Sequence, residues 1–168
     1  GMNGRPLTIE HGFPVRTVVP GLFGYVSATK WVTDIEVTTF EAVESAAVED
    51  GWALHGPVRT SARIDVPTRR AEVAEGRTPV GGVAWSPGAG IERVEVSLDG
   101  GPWEVATLGE TVGPQSWVQW RHEFDVAAGE HVVLVRATDG LGVIQSSVQR
   151  DVKPDGALVL RAVLIPSL

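Results

Sequence analysis

Residues 91–103, IERVEVSLDGGPW, alternate apolar and polar side chains along a short run and then turn sharply. Val94, Val96 and Leu98 fall on one face of an extended chain and Glu95 and Ser97 on the other, the period of a strand with a buried side. Asp99-Gly100 follows at once and supplies the residue types that a tight hairpin accepts at positive φ. The neighbouring sequence has the same character. Further candidate strands lie at 62–66, 79–85, 103–107, 117–126, 131–138 and 143–150, separated by Gly, Pro and Asp turns. Within 117–126, Trp120, His122, Phe124 and Val126 share a face against Gln119, Arg121, Glu123 and Asp125, and Asp139-Gly140-Leu141-Gly142 closes a later hairpin. Strand-sized runs at this spacing, without a helical pattern between them, indicate a β-sandwich.

The chain of 168 residues is 43% hydrophobic and 21% charged, proportions that suit one globular domain or a domain plus a fragment. It has no cysteine, which excludes disulfides, thiolate metal ligands and thiol nucleophiles. A net charge of -7 argues against a nucleic-acid partner, which would need phosphate neutralisation. No apolar run reaches the ~18 residues of a membrane-spanning helix, so no membrane contact is expected of this segment. The start, Gly1 to Arg5, lacks a basic region followed by an apolar core; no signal peptide is read there, and the compartment stays open.

Ahead of the sandwich the sequence changes. Thr38 as N-cap, Glu41 three residues on, Phe40, Val43 and Ala47 at helical spacing and Gly51 as a stop predict a short helix. Its acidic residues, Glu41, Glu44, Glu49 and Asp50, make it a surface connector. Residues 31–37 alternate like a strand, with Trp31 as a core aromatic. Further back, residues 11–31 read HGFPVRTVVPGLFGYVSATKW, with turns at Phe13-Pro14 and Pro20-Gly21 and a β-branched run, Thr17-Val18-Val19, that favours a buried strand. Arg16 offers a fork of donors and Lys30 a point charge, both suited to an anionic ligand. His11 can donate through either ring nitrogen, and taken alone it reads as a buried, hydrogen-bonded histidine. By residue type this is a candidate anion site framed by turns.

The residues as written carry a further likeness. His11-Gly12-Phe13-Pro14-Val15-Arg16, then Val18-Val19-Pro20-Gly21, then Lys30-Trp31 resembles the late part of the molybdopterin domain of the sulfite oxidase family. The resemblance implies that His11, Arg16 and the run Ser27, Ala28, Thr29, Lys30 bind the pyranopterin cofactor. GVAW at 82–85, RVEVSLDGGPW at 93–103 and VRATDGLG at 135–142 resemble the dimerisation domain that follows it in that family. Implied, then, are a remnant of the molybdopterin-binding domain with its connector over 1–50 and an Ig-like (E-set type) β-sandwich over 51–168 that forms a homodimer. The family attaches molybdenum through a cysteine upstream of the His-Gly-Phe-Pro motif. The chain therefore reads as the C-terminal portion of a longer enzyme whose N-terminal catalytic segment is missing. The cofactor would belong to the full-length parent, with none bound and no turnover by this chain alone, and no catalytic or metal-ligating residue is assigned here. The remnant is expected to expose apolar surface around residues 15–19 and at Leu22 and Phe23.

Two departures from the family pattern stand out. The final strand ends AVLIPSL in place of a Trp-His pair, and Lys153 to Gly156, where animal sulfite oxidases bring a substrate-pocket arginine, has none. Sulfite is therefore not assigned as substrate, and Arg161 is not given that role. The alternative from another class is a free-standing Ig-like binding or adhesion module without redox activity, using Trp117 and Trp120 if both are exposed. His55, His122 and His131 are scattered and show neither ligand spacing nor the setting of a nucleophile.

Overall fold

The alternation at 91–98 builds a central strand in one of two four-stranded antiparallel sheets. The computed structural model describes residues 1–42, 45–56, 58–69, 71–148, 150–156 and, as backbone, 161–167. The chain divides into two compact units, Gly1–Val58 with Asp151–Ala157, and Arg59–Arg150 with Leu158–Leu168.

In the second unit the strands are β1 (Ser61–Val66), β2 (Gly76–Trp85), β3 (Ile91–Leu98), β4 (Glu104–Val105), β5 (Thr107–Leu108), β6 (Val118–Val126), β7 (Gly129–Asp139) and β8 (Arg161–Ser167). One sheet runs β1-β2-β6-β5 and the other β4-β3-β7-β8. Val80, Val94, Val96, Val118, Trp120, Phe124, Val133 and Val135 interleave between them as the core. Fully burying each valine is worth about 1.5–3 kcal/mol, which is why the alternating pattern sets the register. Asp99 and Gly100 take φ values of 53° and 72°, the primed turn expected between β3 and β4. Trp120 is buried but Trp117 is 55% exposed, so the pair does not form a shared exposed face.

Three readings change. The strand read at 103–107 is two strands in different sheets. β4 pairs with Glu95 and Val96, Ala106 crosses over with its N–H on Val94 O at 2.9 Å, and β5 pairs with Trp120 and Arg121. β2 begins at Gly76, before Pro79, because the β1 ladder ends at Gly81 and the proline has no bond to give on that side. Finally, 143–150 is not a strand. Ile144 bridges Thr138, Gln145 N donates to Ala137 O and Arg150 forms a further isolated bridge, but no ladder develops among the described residues, and β8 takes the place beside β7. Gln149 of that run lies outside the described residues, as do Ala157 to Leu160 of the C-terminal stretch.

The face of β3 opposite the core is covered as well. Glu95 accepts from Arg136 Nε at 2.9 Å, and the Arg136 guanidinium lies 4.2 Å from the Trp103 ring centroid.

Two buried polar groups bind distant segments together. Asp139 Oδ2 accepts from Thr60 Oγ1 at 2.7 Å and from Ser86 Oγ at 3.4 Å, while Oδ1 accepts from the N–H groups of Leu141 and Val143, both at 3.0 Å. Gln145 Oε1 accepts from Ala62 N at 2.9 Å and Ala137 N at 3.2 Å, joining β1 of one sheet to β7 of the other.

At one end of the sandwich His131 bridges two turns. Its Nδ1 lies 2.7 Å from Asp99 Oδ2 and its Nε2 2.8 Å from Ala127 O. Both partners are acceptors, so both ring nitrogens are satisfied only when both carry protons. The hydrogen bond to Asp99, then that to Ala127, raise the His131 pKa against the opposing effect of burial. Burial resists ionisation of Asp99, yet hydrogen bonds from His131 and Val132 N leave its pKa below the usual value. A raised histidine stabilises fully below its unfolded pKa of about 6.5 and loses the contribution as pH rises through the folded value. The lowered carboxylate adds stability above its unfolded value of about 3.9 and loses it in stronger acid. His131→Gln should therefore lower the urea midpoint most between these limits, near pH 5, and progressively less as pH rises through the folded histidine value. A gap between variant and wild type that stays constant with pH would refute the bridge.

In the first unit the helices are short: α1 (Gly24–Ser27) and α2 (Ala46–Glu49). The helix expected from Thr38 starts later. Ser45 is the N-cap, its hydroxyl accepting from Val48 N, and Gly51 at φ 87° ends the turn as expected. Val43 and Glu44 lie outside the described residues. Tyr25 packs 4.6 Å from the Trp52 ring and donates to Ala53 O at 3.3 Å, while Phe23 N donates to Gly56 O, so 21–26 and 52–56 hold together. Leu22 and Phe23 are accordingly half-buried rather than exposed.

Residues 17–19 and 31–37 are not strands. A strand needs a ladder, and here the pairing amounts to Thr17 N to Thr29 O and Val32 N to Val15 O, both 3.0 Å. Val15, Val18, Val19, Ile35 and Val37 remain exposed, the apolar surface expected around 15–19 among them.

Candidate anion-binding site

Two local devices bring the basic side chains together. A 3-10 turn, Ile9–His11, ends at Gly12, whose φ of 104° only glycine takes without strain. Downstream, Thr17 clamps the Lys30 loop. Its N–H donates to Thr29 O, its hydroxyl accepts from Thr29 N at 2.9 Å, and the same hydroxyl donates to Ser27 O at 3.0 Å. Lys30 is thereby set beside Arg16, close to Gly12. A β-carbon built on Gly12 would lie 3.0 Å from Arg16 Cβ and 3.2 Å from Lys30 Cβ. The stems of the two cations thus meet over one glycine, next to His11.

The hydrogen bonds of their side chains to described residues go to peptide oxygens. Arg16 Nη1 donates to His11 O at 3.2 Å, and Lys30 Nζ to Glu10 O at 3.0 Å. Arg16 Nε is buried with no hydrogen-bond partner, a donor that costs free energy until an acceptor meets it. His11 is exposed rather than buried. Trp31, expected in a core, is 51% exposed. It adopts φ 53°, donates through Nε1 to Ile9 O at 2.7 Å, and lies 4.4 Å beneath the Lys30 ammonium. An open cleft of about 550 Å³ beside these groups is lined by Leu7, His11, Pro14, Val15, Arg16 and Val18 among others; Lys30 is outside its lining. The nearest opposing charge in sequence is Glu10, whose carboxyl is held below its usual range by a backbone hydrogen bond and by Thr8.

The run 27–29 is turned inward only in part, Thr29 remaining exposed. Ser27 is buried with its hydroxyl on Leu22 O, Ala28 is half-buried with its N–H on Gly24 O, and the Thr29 peptide is spent on Thr17. Gly12 and Thr17 were not singled out from the sequence as parts of the site. Gly12 was legible in principle, as a glycine inside the His-Gly-Phe-Pro run, but the clamp by Thr17 spans twelve residues and leaves no local signal. At the Lys153 to Gly156 position, Lys153 is taken up by Asp50, with Nζ 2.6 Å from its peptide oxygen and 2.8 Å from Oδ2, at the end of α2.

The arrangement offers two neighbouring cations, a guanidinium Nε without a hydrogen-bond partner and, beside Arg16, a cleft with an apolar wall, features suited to an anionic ligand. No group of three or more His, Asp or Glu side chains able to hold a metal exists among the described residues, and none of the described helices is long and apolar enough to cross a membrane.

Comparison with known proteins gives the family. Residues 1–46 match the family described as "Oxidoreductase molybdopterin binding domain" and residues 58–152 the "Mo-co oxidoreductase dimerisation domain". Human mitochondrial sulfite oxidase is 33% identical over 172 residues, which is 88% of this chain and 31% of that protein. Sulfite oxidase of Arabidopsis thaliana is 30% identical over 174 residues, 86% of this chain and 44% of that one. The sulfane dehydrogenase SoxCD from Paracoccus pantotrophus superposes with a TM-score of 0.66 at 30% identity, covering 85% of this chain and 40% of its own. The chain thus spans less than half the length of each of these relatives. It belongs to the sulfite-oxidase-type molybdenum oxidoreductases, as the end of a molybdopterin-binding domain followed by a Mo-co oxidoreductase dimerisation domain.

Proposed function

We propose that this chain is the C-terminal portion of a molybdenum oxidoreductase in which His11, Arg16 and Lys30 hold the anionic end of the pterin cofactor. Residues 1–50 form the remnant of the cofactor domain with its connector, and 51–168 the dimerisation sandwich. The observation that carries the reading is the close approach of the Arg16 and Lys30 stems over Gly12, beside His11. Arg16 contributes its unmet Nε donor, Lys30 a charge that can swing from Glu10 O, and His11 an exposed imidazole. Ser27, Ala28 and Thr29 carry Lys30 into place through their bonds to Leu22, Gly24 and Thr17. When bound, the molybdenum-pterin group supplies the redox chemistry, while these residues bind and orient it. The complete enzyme, produced in a host that makes the cofactor, should release pterin on oxidative denaturation and contain molybdenum. Absence of both would end this reading.

We further propose that the sandwich pairs with a second copy of itself, supported by the match to a dimerisation domain. Light scattering on this chain should give a mass that rises towards twice the monomer value with concentration. A strict monomer at every concentration would count against it.

A further inference from the structure

We propose that Arg5 is a fourth basic member of the anion site, reaching the ligand from the side of His11 opposite Arg16. The inference rests on the pterin-binding reading above and extends it to a residue that the motif does not contain.

Three observations place Arg5 there. First, its backbone is fixed. Met2 N donates to Arg5 O at 2.8 Å and Arg5 N to Met2 O at 3.1 Å, closing a two-residue turn in which Asn3 and Gly4 have φ 51° and 73°. Second, a depression of about 500 Å³ lined by Met2, Asn3, Arg5, Pro6, Leu7, Thr8 and His11 adjoins the cleft at Arg16. The two share Met2, Leu7 and His11 in their linings, so they are neighbours, with one arginine lining each and the histidine common to both. Third, the Arg5 side chain is exposed and no described residue accepts a hydrogen bond from it or pairs with it, whereas Arg16 and Lys30 each have a peptide oxygen.

The electrostatics favour the same assignment. Between Gly1 and Trp31 the side chains carry three fixed positive charges, Arg5, Arg16 and Lys30, against Glu10 alone, in a chain whose net charge is -7. A local positive field in an acidic protein draws an anion to these two depressions. An exposed guanidinium on a preorganised turn adds affinity mainly through charge, so its effect should be modest and screened by salt.

The test uses the complete enzyme and measures pterin retained per chain after gel filtration at low and at high salt. Arg5→Ala should retain about two- to fivefold less pterin than wild type at low salt, with the difference shrinking at high salt, and Arg5→Lys should restore most of the loss. Thermal unfolding of the apo variants shows whether the fold is kept, which the lack of side-chain contacts favours. Arg5→Ala retaining pterin like wild type while Arg16→Ala loses it would overturn the role of Arg5 and leave the site standing. Arg16→Ala retaining pterin fully would remove the site and the Arg5 proposal with it.

Discussion

Asp139→Ala is expected to destabilise the sandwich by about 4 kcal/mol, seen as a large fall in the urea midpoint at pH 7. The carboxylate is buried and accepts four hydrogen bonds, from the hydroxyls of Thr60 and Ser86 and the peptides of Leu141 and Val143. Alanine leaves the two peptide donors unmet, while Thr60 and Ser86, 2.9 Å apart, still have each other. Asp139→Asn keeps the shape but loses the charge and should cost about half as much, because hydrogen bonds to an ionised acceptor are the stronger kind. The pH dependence has a definite sign. Burial opposes ionisation of Asp139, yet the bonds from Thr60, Val143, Leu141 and Ser86 outweigh it, so the pKa is lowered. The part of the stability that comes from this shift is complete above the unfolded value of about 3.9 and is lost as pH falls through the folded value, so the gap between wild type and Asp139→Ala should narrow in acid. An unchanged midpoint for Asp139→Ala at pH 7 would refute the role given to this carboxylate.

Gly12→Ala and Arg16→Ala are expected to empty the cofactor site of the complete enzyme. Arg16→Ala removes a fork of donors to an anion, worth about 2 kcal/mol or roughly a thirtyfold loss of affinity. Gly12→Ala acts differently. The added methyl would press on Arg16 Cβ and Lys30 Cβ at a backbone angle that side chains rarely adopt, so both cations must move apart. Pterin content in Gly12→Ala should fall as far as in Arg16→Ala even though every charge is retained. Full pterin content in Gly12→Ala would show that the spacing of the two stems is unimportant.

The sandwich strands were legible because alternation is a local property, and Val94, Val96, Trp120 and Phe124 occupy the core as their pattern demands. The segment 143–150 has strand composition but, among the described residues, isolated bridges at Ile144 and Arg150 in place of a ladder, and composition does not report partners. The same holds for 17–19 and 31–37, where β-branched residues sit in extended chain without a ladder. Trp31 was misplaced for a related reason. Its indole satisfies itself on Ile9 O and beneath Lys30, so it needs no core. The Asp139 hub was visible only as a turn, since its hydroxyl partners stand 79 and 53 residues away. In the site, the basic residues could be picked out by type and by family likeness. Their spacing about Gly12 depends on the Thr17 clamp, which only coordinates reveal.

The crossover at Ala106 has one more consequence. Glu104 to Leu108 hem a free margin of both layers, so the two layers cannot drift in alignment separately. A slip of this seam by one position would turn its side chains over in both places at once and push a larger group into the tight spot that Ala106 fills. The molecule thereby guards two borders with a single stitch, and a fault in that stitch would be felt on both sides of the core.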